Sequence, residues 1–147
     1  MKELILIHNM WKEDCIIGRK LDEASHQTPM LHAKYLQLLS EAKMTMKNLE
    51  MQQKNLLKDK WLYYNGKMSR EDITNRGWVY DPFDGLKVLR SDMDRYYDSD
   101  PEIQMSIEKI AAWKNIIDTL SEIMENIKWR HQTIGNIIKW KAFESGG

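Results

Sequence analysis

Residues 100–138 read DPEIQMSIEKIAAWKNIIDTLSEIMENIKWRHQTIGNII. The stretch opens with a helix start signal, because Asp100 can cap the first turn and Pro101 suits the first helical position. The carboxylate of Glu102 follows, at the positive end of the helix dipole. A helix from residue 101 to residue 143 would be roughly 64 Å long. The stretch therefore predicts one long helix, which Gly135 alone could break.

Apolar residues recur along this helix with the seven-residue spacing of a coiled-coil seam. The seam comprises Ile103, Ile110, Trp113, Ile117, Leu120, Met124, Ile127, Ile134 and Ile138. A compact monomer of this size cannot bury so long a stripe, and isoleucine at both seam positions favours more than two strands. We interpret the seam as an oligomerisation surface. The alternative is a monomeric bundle in which this helix packs on residues 29–64.

A second long helix is predicted upstream of the first. It should begin at Thr28-Pro29, a threonine cap before a proline at the first helical position, and run to about Tyr64. Its apolar residues keep the three-to-four spacing of one helix face. They are Tyr35, Leu39, Ala42, Met46, Leu49 and Leu56. The sequence thus predicts a mainly all-α fold built on two long helices.

The segment between the two helices, residues 65–100, is rich in turn signals and in aspartate. The turn signals are Asn65-Gly66, Arg76-Gly77, Asp81-Pro82 and Asp84-Gly85. Residues 86–89 could form a short strand. The aspartates do not form a calcium loop, because Tyr97 stands where such a loop starting at Asp92 needs glycine. We predict an irregular, acidic connector.

The end of the upstream helix carries a cluster of lysines and aromatic rings. Residues 58–67 read KDKWLYYNGK, and the residues of interest are Lys58, Lys60, Trp61, Tyr63, Tyr64 and Lys67. Ammonium groups neutralise phosphates, and flat rings stack on unpaired bases without regard to sequence. We expect these residues to bind single-stranded nucleic acid. The alternative is a helix end whose rings are core and whose lysines are solvated.

The two helical lysines of this cluster point in different directions. Lys58 and Lys60 lie roughly 200° apart on an ideal helix. Both can face one nucleic-acid strand only if that strand wraps around the helix or crosses its end. The Asn65-Gly66 turn indicates a helix end close to them.

Composition limits the function classes. The 147 residues have a net charge of zero, yet residues 1–70 carry 12 basic and 8 acidic side chains and residues 71–100 carry 4 and 8. The single cysteine, Cys15, excludes an intramolecular disulfide and fits a reducing compartment. There is no apolar run long enough for a membrane span, no phosphate-binding glycine loop and no catalytic motif. We expect an intracellular, non-enzymatic protein that needs no cofactor or metal and no membrane.

The chain resembles the UvsY-type recombination mediators of T-even-like phages. The resemblance rests on residues 58–67, with YYNGK at their end, and on Lys20-Leu21, Met30-Leu31 and residues 34–36. It also covers residues 134–146, which end in KAFESG. Residues 68–100 match this pattern least.

The resemblance implies a small helical protein that forms a ring-like homo-oligomer of six or seven subunits through its C-terminal helix. It implies binding to single-stranded DNA, to a UvsX-like phage recombinase and to the phage single-strand DNA-binding protein, in the cytoplasm of the infected bacterial host. The family's DNA-contacting basic pair falls on Lys58 and Lys60. The expected regions are 1–64 for DNA binding, 65–100 as acidic connector and 101–147 for oligomerisation. The rival hypothesis is a helical scaffold without a nucleic-acid role.

Overall fold

The computed structural model describes residues 1–146, and within them every regular element is helical. The α-helices are α1 (Lys2–Asp14), α2 (Leu21–Tyr64), α3 (Arg70–Arg76), α4 (Met93–Ser99) and α5 (Pro101–Glu144). A short 3₁₀ turn, Arg90–Asp92, leads into α4. The predicted all-α class with two long helices is confirmed.

Helix α5 begins where the sequence predicts. The Oδ1 atom of Asp100 accepts hydrogen bonds from the backbone N–H groups of Glu102 and Ile103, at 2.9 and 3.1 Å. These bonds satisfy two of the donors that the first turn of a helix leaves free. Gly135 does not break the helix, which continues to Glu144.

Helix α2 begins at Leu21, so the predicted start at Thr28-Pro29 is wrong. Thr28 lies inside the helix, where its hydroxyl donates to the carbonyl of Ala24 at 3.1 Å. Proline removes the hydrogen bond that the carbonyl of Ser25 would otherwise receive. Both Ser25 and Pro29 are exposed, so water can hydrate that carbonyl and the helix tolerates the proline.

The connector is more ordered than predicted, because it contains α3 and α4. Ser69 caps α3 by accepting a hydrogen bond from the backbone of Asp72, and Gly77 ends it in the left-handed conformation with φ of 73°. The strand expected at residues 86–89 is absent; these residues follow a turn without forming a ladder. Such short helices bury too few residues to show an apolar period in the sequence.

The chain divides into two compact units. The first contains Met1–Thr45 and the described residues from Ala112 onward, and the second contains Met46–Ala111. The core of the first unit is formed by Ile7, Tyr35, Ala42, Ile116, Leu120, Ile123 and Ile127. The Tyr35 hydroxyl donates to the carboxylate of Asp14 at 2.7 Å, and Trp11 packs edge-on against the Tyr35 ring at 5.4 Å. Helices α1, α2 and α5 thus pack together in this unit.

This core contains part of the apolar seam. Four of the nine seam residues are buried within the chain, namely Ile103, Leu120, Ile127 and Ile134. Four more are partly buried, namely Ile110, Trp113, Ile117 and Met124. Ile138, at 51% exposure, is exposed. Leu120 and Ile127 pack with residues of α1 and α2, as the alternative of a bundle has it, and self-assembly through the seam stays a prediction.

The last turns of α5 expose large apolar side chains. Ile138, Trp140 and Phe143 are each more than half exposed, and the Trp140 and Phe143 rings stack at 5.6 Å. Exposed apolar clusters of this kind are typical of protein interaction sites. The prediction that α5 mediates self-assembly therefore concerns these turns more than the middle of the helix.

Candidate nucleic-acid interface

The lysine–aromatic cluster lies at the end of α2, in the second unit. The helix ends in a Schellman motif, in which the N–H of Lys67 bonds the carbonyl of Leu62 and the N–H of Gly66 bonds that of Tyr63. Gly66 has φ of 69°, a conformation that glycine adopts without strain. The expected helix end at Asn65-Gly66 is therefore present. The motif turns the chain back so that Lys67 reaches the side of α2.

Lys67 and Trp61 form an exposed pair on this surface. The Lys67 ammonium lies 4.7 Å from the centroid of the Trp61 ring, and the tryptophan is 40% exposed. The Lys58 side chain is also exposed, and its only carboxylate partner within the described chain is Asp59, at 3.9 Å. Such an exposed ion pair is weak. Lys58, Trp61 and Lys67 thus present two cations and one ring to solvent.

A groove runs beside these residues. Its volume is about 410 Å³, and its walls come from the end of α2 and from α3. Its charged lining residues are Lys58, Lys67 and Arg76 together with Asp59 and Asp72. Arg76 is partly neutralised by its ion pair with Asp59. The groove is therefore of mixed charge, and its least neutralised cations are Lys58 and Lys67, two of the three lysines of the lysine–aromatic cluster.

Lys60 occupies a different environment. It is only 4% exposed, and its ammonium lies 2.9 Å from Asp100 Oδ2, 3.5 Å from Glu102 Oε1 and 3.9 Å from the centroid of the Trp78 ring. A phosphate contact by Lys60 would require this arrangement to open. Direct contact between Lys60 and DNA stays a prediction, and Lys60 is the least accessible of the six selected residues.

Asp100 connects α2 to the start of α5. One carboxylate oxygen caps α5, and the other accepts hydrogen bonds from Tyr64, at 2.5 Å, and from Lys60. Burial by itself disfavours the charged form of Asp100. The hydrogen bonds from Tyr64, Lys60 and the backbone of Ile103 outweigh burial, so the pKa of Asp100 lies below its ordinary value.

Tyr63 and Tyr64 belong to an aromatic cluster that includes Trp78 and Phe83. Tyr63 is buried, its hydroxyl donates to the carbonyl of Val79, and its ring lies 5.0 Å from that of Trp78. The ring of Tyr64 packs near Phe83, at 5.8 Å. Burial, followed by interaction with Asp100, raises the pKa of both tyrosines. Tyr63 is therefore a core residue, as the alternative interpretation of this helix end has it for the rings.

Sequence reasoning missed the partners of Lys60. Trp78 and Asp100 lie 18 and 40 positions further along the chain, and no local pattern links them to α2. It also missed Arg70 and Tyr80, whose guanidinium carbon and ring centroid are 4.6 Å apart. A tyrosine between glycine and proline in a turn-rich segment is the only signal that could have indicated an exposed ring.

Two further findings concern the described part of the chain. No group of three or more histidine, cysteine or acidic side chains in residues 1–146 is placed to hold a metal ion. None of the helices described above combines the length and the apolar character that crossing a membrane requires.

Comparison with known proteins assigns the family. The family model of the recombination, repair and ssDNA binding protein UvsY matches residues 10–147. The recombination protein uvsY of Enterobacteria phage T4 is 27% identical over 144 residues, with 92% of each chain covered.

Solved structures agree with this assignment. A crystal structure of the bacteriophage T4 recombination mediator protein UvsY has a TM-score of 0.78 at 25% identity and covers 95% of both chains. A second crystal form of that protein has a TM-score of 0.77 at 26% identity, with 93% of this chain and 97% of the other covered. The match spans both units and both long helices, and with the family model it shows that this chain belongs to the UvsY family of recombination, repair and single-stranded DNA binding proteins.

Proposed function

We propose that this protein is a recombination mediator that binds single-stranded DNA and helps a UvsX-like phage recombinase load onto DNA covered by the phage single-strand DNA-binding protein. Family membership supports the recombination role. The observation that carries the DNA-binding site is the exposed Lys67–Trp61 pair beside Lys58. We place this activity in the cytoplasm of the infected bacterial host.

The six selected residues divide into two roles in this proposal. Lys58 and Lys67 contact phosphates, and Trp61 stacks on a base. Lys60, Tyr63 and Tyr64 instead hold the end of α2 in place, because their polar atoms are already bonded to Asp100 and Val79. Lysine contacts phosphate as a point charge that is indifferent to base sequence. The site should therefore bind all single-stranded sequences with similar affinity.

Self-assembly supplies the affinity that one subunit lacks. Two phosphate contacts per subunit give weak, salt-sensitive binding. A homo-hexamer or homo-heptamer formed through the exposed end of α5 would repeat the site, and a strand held at one subunit would meet the next at high effective concentration. A chain with zero net charge could then hold DNA tightly and in a defined curve.

Replacing both Lys58 and Lys67 with alanine is expected to weaken binding to oligo-dT and to flatten its salt dependence. The slope of log affinity against log salt should fall by about 1.4 per bound subunit, since each lost phosphate contact on a single strand removes roughly 0.7. Fluorescence anisotropy across a salt series measures both quantities. The double change Lys43→Ala, Lys114→Ala removes the same charge from exposed positions and should leave the slope unchanged. Equal slopes for the two double variants would mean that DNA binds elsewhere or that the protein is a scaffold.

The mediator role has its own test. On oligonucleotide already covered by the phage single-strand binding protein, the recombinase should hydrolyse ATP only after a lag. Adding this protein is expected to shorten that lag, and the Lys58→Ala, Lys67→Ala variant should shorten it much less. If the unaltered protein binds DNA but does not shorten the lag, the protein is a DNA-binding protein and not a mediator.

A further inference from the structure

Arg70 and Tyr80 form a second exposed pair of a cation and a ring in the same unit. The guanidinium carbon lies 4.6 Å from the ring centroid, a separation close to that of the Lys67–Trp61 pair. Tyr80 is 58% exposed, so it is accessible to a ligand in solution. It also lines a cavity of about 470 Å³ shared with Phe83 and Leu86. A volume of this size can accommodate a small organic group.

Contacts of the neighbouring residues restrain the backbone at both Arg70 and Tyr80. Arg70 is the first residue of α3, directly after the Ser69 cap. Tyr80 follows Val79, whose carbonyl accepts the hydrogen bond from Tyr63, and Trp78, whose ring contacts Lys60. Restraint of this kind reduces the entropy lost when a ring stacks on a ligand.

The cations of the two pairs, Lys67 and Arg70, are available to bind an anion. In the described part of the chain, neither Lys67 nor Arg70 has a carboxylate oxygen within 4.0 Å, whereas Lys58 and Arg76 each have one and Lys60 has two. The two residues are three positions apart, so their Cα atoms are separated by at most roughly 11 Å. One short stretch of a phosphate backbone can therefore reach both.

We propose that Arg70 and Tyr80 form a second contact point for single-stranded DNA, in which a base stacks on Tyr80 and the adjacent phosphate pairs with Arg70. This inference rests on the proposed DNA-binding function and extends its path from the end of α2 across the start of α3. Arginine and exposed rings together form sequence-tolerant stacking platforms for unpaired bases. An acidic peptide would use the cation but would not need a bare ring.

The first test is a direct one. Photo-cross-linking the full-length protein to oligo-dT that contains 5-iododeoxyuridine, followed by peptide mass spectrometry, is expected to place adducts on Tyr80 as well as on Trp61. Adducts on Trp61 without any on Tyr80 would overturn the second contact point and leave the first in place.

Substitutions test the two chemical roles separately. Tyr80→Ala should weaken oligo-dT binding by about fivefold or more, and Tyr80→Phe should retain it, because stacking needs the ring and not the hydroxyl. Arg70→Gln should reduce the salt slope by about 0.7 per bound subunit. The matched control is Arg90→Gln, an exposed arginine of the same unit, which should leave the slope unchanged.

The outcomes separate this inference from the function on which it rests. If Lys58→Ala, Lys67→Ala impairs binding and the Tyr80 and Arg70 variants do not, only the second contact point is refuted. If the unaltered protein does not bind oligo-dT, both proposals fail. Circular dichroism of Tyr80→Phe and Arg70→Gln verifies that these exposed changes leave the helices intact.

Discussion

Replacing Asp100 with alanine is expected to lower the free energy of unfolding by about 3–5 kcal/mol, because it leaves the Lys60 ammonium buried without its closest counter-charge. The same change removes the side-chain cap of α5 and the acceptor of the Tyr64 hydroxyl. Urea unfolding followed by circular dichroism measures the loss. The control Asp98→Ala removes an exposed carboxylate two positions away and should cost less than about 0.5 kcal/mol. Similar losses for both variants would show that the Lys60–Asp100 pair is not a stabilising element.

The same carboxylate predicts a pH dependence. Its pKa in the folded protein lies below the ordinary value of 3.8. A group with a lowered pKa stabilises the fold at pH values above its ordinary pKa, and the contribution disappears as the pH falls through the folded value. The unaltered protein should therefore lose stability below about pH 4. In Asp100→Asn this acid-dependent loss should be smaller, since the amide does not titrate.

Replacing Ile127 with aspartate is expected to unfold the first unit, whereas the double change Ile138→Asp, Phe143→Asp should leave it folded and abolish self-assembly. Ile127 is 2% exposed in the core against α1 and α2, and burying a charge there should cost more than about 4 kcal/mol. Ile138 and Phe143 are exposed, so charges there remain hydrated in the monomer and oppose only an apolar contact between subunits.

Circular dichroism and sedimentation velocity distinguish these two effects. The Ile127 variant should lose helical signal, and the double variant should keep it while sedimenting as a smaller species. Truncation before Asp100 would not give this separation, because it also removes Leu120 and Ile123 from the core of the first unit. A folded double variant that still sediments as the full oligomer would place the assembly surface elsewhere on the chain.

Local signals predicted the helical framework well. The Asp100-Pro101 start of α5 and the Asn65-Gly66 end of α2 depend on caps and on glycine geometry, which act within a few residues. Thr28-Pro29 does not mark a helix start, because proline is also tolerated inside a helix where the carbonyl it leaves free faces water. Packing on α1 and α2, which no heptad pattern reveals, decided that Leu120 and Ile127 belong to the core.

The sequence by itself determined the helical class, the two long helices and the position of the lysine–aromatic cluster, because these follow from spacing and capping along the chain. It also carried the resemblance that the family model confirms. Only the tertiary structure decided which members of the cluster meet solvent. Lys58 and Lys60 lie on different sides of α2, and Asp100, forty residues away, holds Lys60 in the interior. A charge is buried only where folding brings a partner of opposite charge beside it. The spacing of residues along the chain does not show which distant residue that partner is.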